Sequence, residues 1–167
     1  MRTITLIAAL LASASVQAET PWEAYLRSPS SSAAAAVRVA GYSIADPDNR
    51  RFESDLPVLE NEVAAGDPES TALAVRLHTQ FGNAAAIAEY LSAIIGRSIR
   101  PNPGAYLAAI SGDAGCLGVV PSGDLFVDRD EARVAEAFAR LRALQRVHKP
   151  QLRKKRDECV AVLSTVR

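Results

Sequence analysis

The chain has 167 residues, two of them cysteine, with 19 Lys plus Arg against 19 Asp plus Glu. Hydrophobic residues make up 49% and charged residues 23%, which supports one packed domain and excludes a disordered chain or a collagen-like fibre. Zero net charge excludes a general electrostatic grip on nucleic acid, and with only 5% aromatics the core must be largely aliphatic.

Residues 1–18 place one early cation, Arg2, before an apolar run from Ile4 to Ala12 and then small residues. That is the layout of a secretory signal peptide, with Val16-Gln17-Ala18 as the expected cleavage site. The run is far shorter than the roughly 20 residues a membrane-crossing helix needs, so no integral membrane anchor is expected. Cleavage after Ala18 leaves a single domain, 19–167, in the periplasm or outside the cell, with 18 basic and 19 acidic side chains. An oxidising compartment favours pairing Cys116 with Cys159. Closing that span of about 44 residues stabilises the fold by about 4 kcal/mol through the lost freedom of the unfolded chain.

In the exported part, Thr20, Pro21 and Glu23 form a capping-box start for a short helix. Ser30 to Ser32 cap a second helix built from Ala33 to Ala36 and reaching about Tyr42. Asp46-Pro47-Asp48-Asn49 marks a turn. From Ser54, Leu56, Leu59 and Val63 recur at helical spacing and Gly66 ends the helix. Asp67 and Pro68 start the next, with a stripe of Leu73, Leu77 and Phe81. Asn83 is the expected cap of a strongly amphipathic helix carrying Ile87, Leu91, Ile94 and Ile95. Asn102 and Pro103 open a short helix through Tyr106, Leu107 and Ile110.

Residues 113–127 carry Gly115, Gly118, Pro121 and Gly123 without helical period and predict an ordered loop held by Cys116. Asp128 caps a long helix whose expected buried stripe is Val134, Ala137, Phe138, Leu141 and Leu144. Pro150 breaks the pattern, and a final helix buries Leu152, Cys159, Leu163 and Val166. No alternating β-branched run suggests a sheet. The expected fold is all-α, with about eight helices stacked as antiparallel hairpins in a HEAT-like α-solenoid or an irregular bundle, stapled by one disulfide.

The paired helices from Leu56 to Ile110 resemble HEAT-type α-helical repeats. The stretches Ala74-Val75-Arg76-Leu77-His78 and Ile94-Ile95-Gly96-Arg97-Ser98-Ile99-Arg100-Pro101-Asn102-Pro103 are similar to a family of uncharacterised exported helical bacterial proteins. Neither resemblance implies a catalytic residue.

Reactive motifs are missing. Nucleophilic catalysis needs a Ser, Thr or Cys with a base and an orienting group, and there is no G-x-S-x-G elbow. His78 sits one position past a stripe residue, and His148 reads as a helix-end cation. Zinc needs clustered His and Cys, whereas these histidines stand 70 positions apart. A weak calcium site could use Asp124, Asp128, Asp130 and Glu131, but their spacing does not match an EF-hand loop, and helix capping explains them more simply. Glu60 and Glu62 lie two apart on one helix and point apart, unlike a glycosidase pair. No phosphate-cradling glycine loop occurs, so no cofactor is implied.

Charge distribution is more informative. Residues 19–128 hold 7 basic and 14 acidic side chains, and residues 129–167 hold 11 and 5. The densest basic cluster, Lys149, Arg153, Lys154, Lys155 and Arg156, reads either as a solvated helix face or as a partner-binding patch. Arg76, Arg97 and Arg100 either bridge hairpins through carboxylates or present a forked recognition surface, and bridging is the expected main use. The resulting expectation is a non-catalytic exported protein that binds another protein, for example as an inhibitor or immunity protein, and not nucleic acid. Two alternatives remain open: a small periplasmic hydrolase using His78 with a nearby carboxylate, and an envelope factor binding peptidoglycan or lipid.

Overall fold

A computed structural model of the protein describes residues 18–41, 49–110, 112, 115–122 and 130–166, and for 49–51 the backbone alone. The expected signal peptide before Ala18, the turn at Asp46-Pro47-Asp48, and Asp124 and Asp128 lie outside the described residues. Eight α-helices and no strand occur among them: α1 (Pro21–Arg27), α2 (Ser31–Ala40), α3 (Asn49–Ala64), α4 (Pro68–Gln80), α5 (Ala85–Arg97), α6 (Pro103–Ala109), α7 (Asp130–Gln145) and α8 (Arg153–Leu163). A 3-10 turn, Pro150–Leu152, leads into α8.

Four helices start where short polar side chains can satisfy the exposed amides of the first turn. Thr20 and Glu23 exchange the two hydrogen bonds of a capping box on α1. Ser30 Oγ accepts from the Ala33 amide at 3.2 Å, Asp67 Oδ1 from the Ser70 amide at 2.7 Å, and Asn102 Oδ1 from the Ala105 amide at 3.1 Å. Two of these caps also tie elements together. Ser31 Oγ donates to Asp67 Oδ2, which joins the starts of α2 and α4. Asn102 Nδ2 donates to the Gly66 carbonyl at 3.0 Å, so one amide serves the end of α3 and the start of α6.

Helix α4 is the centre of the packing and touches α2, α3, α5 and α6. Its Leu73, Ala74 and Leu77 are buried against Leu56, Leu59 and Val63 of α3, Leu91, Ile94 and Ile95 of α5, and Leu107 of α6. Each such aliphatic side chain withdrawn from water stabilises the fold by about 1.5–3 kcal/mol before the entropy of ordering it is subtracted. At one end, Phe52 stacks between Trp22 and Phe81 with ring centroids 5.9 and 5.0 Å apart. That cluster explains why α3 begins at Asn49 rather than at the expected Ser54: its first turn is held by tertiary packing that periodicity does not report.

Helices α7 and α8 pack on each other and reach the rest of the molecule through α6 and residues 115–122. Cys116 and Cys159 form the expected disulfide, with Cα atoms 5.4 Å apart, and Cys159 is fully buried. Beside it, Gly96 and Gly118 bring two backbones together. A Cβ on Gly96 would overlap the Gly118 carbonyl, and one on Gly118 would overlap the Ser92 carbonyl; Gly118 also has φ +63°. Both positions therefore need glycine.

Three details differ from the periodicity. Asn83 is exposed and does not cap α5, whose N-cap is Ala84 without a side-chain bond. The inward face of α7 is Ala137, Arg140, Ala143 and Leu144, and Phe138 is 52% exposed. The apolar residues of α7 cover a wider arc than its neighbours bury, and the inward-turned arc is the one that lets Arg140 reach the loop. His148 lies beyond the end of α7, which stops at Gln145.

Gly96→Ala is expected to lower stability by about 1–3 kcal/mol through overpacking. Gly104→Ala, with only Asn102 Oδ1 at 3.8 Å from its added Cβ, is expected to be neutral or to stabilise by up to about 1 kcal/mol; urea unfolding of both variants checks the contrast. Asp67 offers a pH-dependent counterpart. Burial pushes its carboxyl up, but hydrogen bonds from Ser31 and Ser70 outweigh this and hold it below its ordinary 3.8. A depressed value adds stability that is complete above the unfolded-state value and is lost as pH falls through the folded-state value. Asp67→Ala should therefore cost about 1 kcal/mol at neutral pH, and the gap from the parent in urea midpoint should close as pH falls below 3.8.

Candidate functional site

The basic cluster expected near the C-terminus divides in two. Lys155 Nζ donates to the Gly112 carbonyl at 3.3 Å and pairs with Glu158 at 3.1 Å. Arg156 donates to the Val147 carbonyl at 2.8 Å and pairs with Asp157 at 2.7 Å. Both are largely covered: Arg156 holds α8 against the preceding turn, and Lys155 ties it to Gly112 in the segment after α6. Lys149, Arg153 and Lys154 are exposed, without an ion pair or side-chain hydrogen bond among the described residues.

A second cationic feature was not singled out by the sequence. Helix α5, the turn after it and α7 enclose an open cleft of about 1120 Å³ lined by Arg97, Arg100, Arg140, Arg142, Arg146 and His148. Among the described residues Glu136 is the one carboxylate in its wall. Arg97 is neutralised from α3 by Glu60 at 2.6 Å, and Glu60 also accepts from the Tyr90 hydroxyl at 2.8 Å. Arg100 reaches Glu136 Oε2 at 3.2 Å with its side chain still 63% exposed. These two pairs are the inter-helix bridges expected of Arg97 and Arg100. Arg76 instead is exposed and lines a separate groove beside the Arg38–Glu69 pair.

Arg140 forms the floor of the cleft. Its Nε donates to Glu136 Oε1 at 2.9 Å and its Nη1 to the carbonyls of Gly118 at 2.6 Å and Val119 at 3.3 Å. Burial lowers its pKa, and the Glu136 carboxylate opposes that shift. The adjacent Tyr106 hydroxyl donates to the Leu117 carbonyl at 2.9 Å, and burial pushes its pKa up. Arg142 and Arg146 differ from Arg140. Four positions apart at the end of α7, they are exposed and make no ion pair or side-chain hydrogen bond among the described residues. The helix C-terminus favours cations there.

Guanidinium groups donate hydrogen bonds, never accept them, and stay charged. The cleft is therefore equipped to hold oxyanions, and its arginines cannot act as general bases. His78 is half-buried, burial lowers its pKa, and no carboxylate pairs with it among the described residues. His148 is exposed at the rim. No group of three or more His, Cys, Asp or Glu fit to hold a metal occurs among the described residues, and Asp130 and Glu131 are exposed in the first turn of α7. No family model, curated protein or solved structure matches the chain.

Two neighbouring arginines of α7 should respond in opposite ways to truncation. Arg140→Ala strips Glu136 Oε1 and two carbonyls of their donor, and is expected to cost about 3–5 kcal/mol in denaturant unfolding. Arg142→Ala removes no internal contact and should stay within about 0.5 kcal/mol of the parent.

Proposed function

We propose that this chain is an exported, non-catalytic binding protein that holds an acidic protein partner through the basic surface of α7, α8 and the turn between them. One observation carries the reading. Arg142, Arg146, Lys149, Arg153 and Lys154 are all exposed on this one hairpin, without a neutralising partner among the described residues. Internal structure does not require those charges. Their neighbours Arg140, Lys155 and Arg156, by contrast, are each used within the fold.

Unneutralised charge on one side of a protein raises the rate of encounter with a partner of opposite sign and fixes the orientation in which it docks. The preceding segment, with 14 acidic and 7 basic residues, repels such a partner and so restricts docking to one side. The Cys116–Cys159 disulfide and the N-terminal cation, apolar run and small residues support export. A disulfide-stapled fold and unpaired cations gathered on one hairpin suit an inhibitor or immunity protein that blocks an acidic enzyme or toxin in the periplasm.

Affinity capture from periplasmic extract with the parent chain and with an R153E/K154E variant tests the reading. An acidic protein should be captured, released by salt, and recovered roughly tenfold less with the variant. Equal recovery of every captured protein by both forms would overturn it.

A further inference from the structure

Resting on that reading, we propose that the arginine cleft between α5 and α7 is the specificity pocket of the interface, and that it receives a Glu- or Asp-bearing peptide segment of the partner. The cleft already holds one carboxylate. Glu136 projects into its wall and is gripped on one oxygen by Arg140 and on the other by Arg100. Carboxylate recognition by guanidinium groups is thus realised here by the protein's own side chain. Arg142 and Arg146 offer the same chemistry with no internal acceptor.

Wall composition favours a peptide over a small inorganic anion. Between the guanidinium groups the cleft is lined by Ala64, Ala93, Ala139, Ala143 and Pro101. Small apolar side chains give an extended chain room to lie close and contact the methylenes of its acidic side chains, and a phosphate ion has no use for them. The cleft is also continuous in sequence with the outer basic face, since His148 lines it and exposed Lys149 follows. An acidic segment entering between Arg142 and Arg146 would thus meet further positive charge at the exit. Exposed Arg100, held by a single 3.2 Å contact to Glu136, can turn to an incoming carboxylate while Arg140 keeps Glu136 in place.

The full chain is titrated with a fluorescently labelled oligoglutamate peptide, with an oligoglutamine peptide of equal length as control and pyrophosphate as competitor. Two double variants are compared, R142E/R146E in the cleft and R153E/K154E on α8. They change the formal charge equally and remove no internal contact, so overlapping thermal melts are expected. Oligoglutamate should bind the parent and oligoglutamine should not. The cleft variant should bind oligoglutamate roughly tenfold or more weakly, and the α8 variant no more than about threefold more weakly. An equal or greater loss with the α8 variant overturns the pocket while leaving the basic-face reading standing. Pyrophosphate binding more tightly than oligoglutamate replaces the peptide pocket by a small-anion site and overturns it. Failure of the parent chain to bind oligoglutamate at low salt overturns the pocket and the reading on which it rests.

Discussion

Arg140 sits buried beside Gly96 of α5 and bonds α7 to the 115–122 loop. Removing a guanidinium from water is strongly unfavourable unless its donors are met. Here Glu136 supplies the counter-charge and accepts from Nε, and the carbonyls of Gly118 and Val119 both accept from Nη1. The two carbonyls are within reach because Gly96 and Gly118 carry no side chains to hold the backbones apart. Arg140 thus ties α7 to the loop that packs against Gly96 of α5, and so helps set how the C-terminal hairpin meets the α4-centred bundle. That meeting defines the cleft, since one wall comes from α5 and the other from α7.

Helix α7 shows how context assigns different work to one residue type. Arg140 and Arg142 are two positions apart and therefore face different surroundings on a helix. One is a structural ion in a dry seam; the other projects into solvent at the mouth of the cleft. The five lysines and arginines from 149 to 156 divide in the same manner, with Lys155 fastening α8 to Gly112 and Arg156 fastening it to the turn before it. Sequence density of charge overstates the free charge of that stretch and passes over Arg142 and Arg146, which are too widely spaced to stand out.

Much of the architecture was readable in advance because it is local. Thr20, Ser30, Asp67 and Asn102 each announce a helix start by side-chain chemistry that acts within three residues. With only two cysteines, an expected oxidising compartment left a single pairing. Asn83 misled because a cap residue is effective only if the chain begins its first turn there, and α5 starts two residues later. Phe138 misled because a hydrophobic residue on an apolar arc need not face inward when a neighbouring charged side chain has the stronger requirement. The cleft was the least legible feature. It joins residues near 97–101 to residues near 136–148, a juxtaposition made by tertiary packing. Gly96, an isolated glycine within an amphipathic helix, is the signal that could have indicated a close backbone approach there.

The cross-link between Cys116 and Cys159 has one further bearing on motion. Residues 115–122 contain no regular secondary structure, and segments of that kind ordinarily open on their own at little free-energy expense. This one is bonded covalently to the buried face of α8, and Ser122 at its far end borders the cleft. Any fluctuation that lifts the loop away must also drag the final helix off its neighbour. The loop that leads to the rim of the cleft is therefore anchored to the helical hairpin at Cys116.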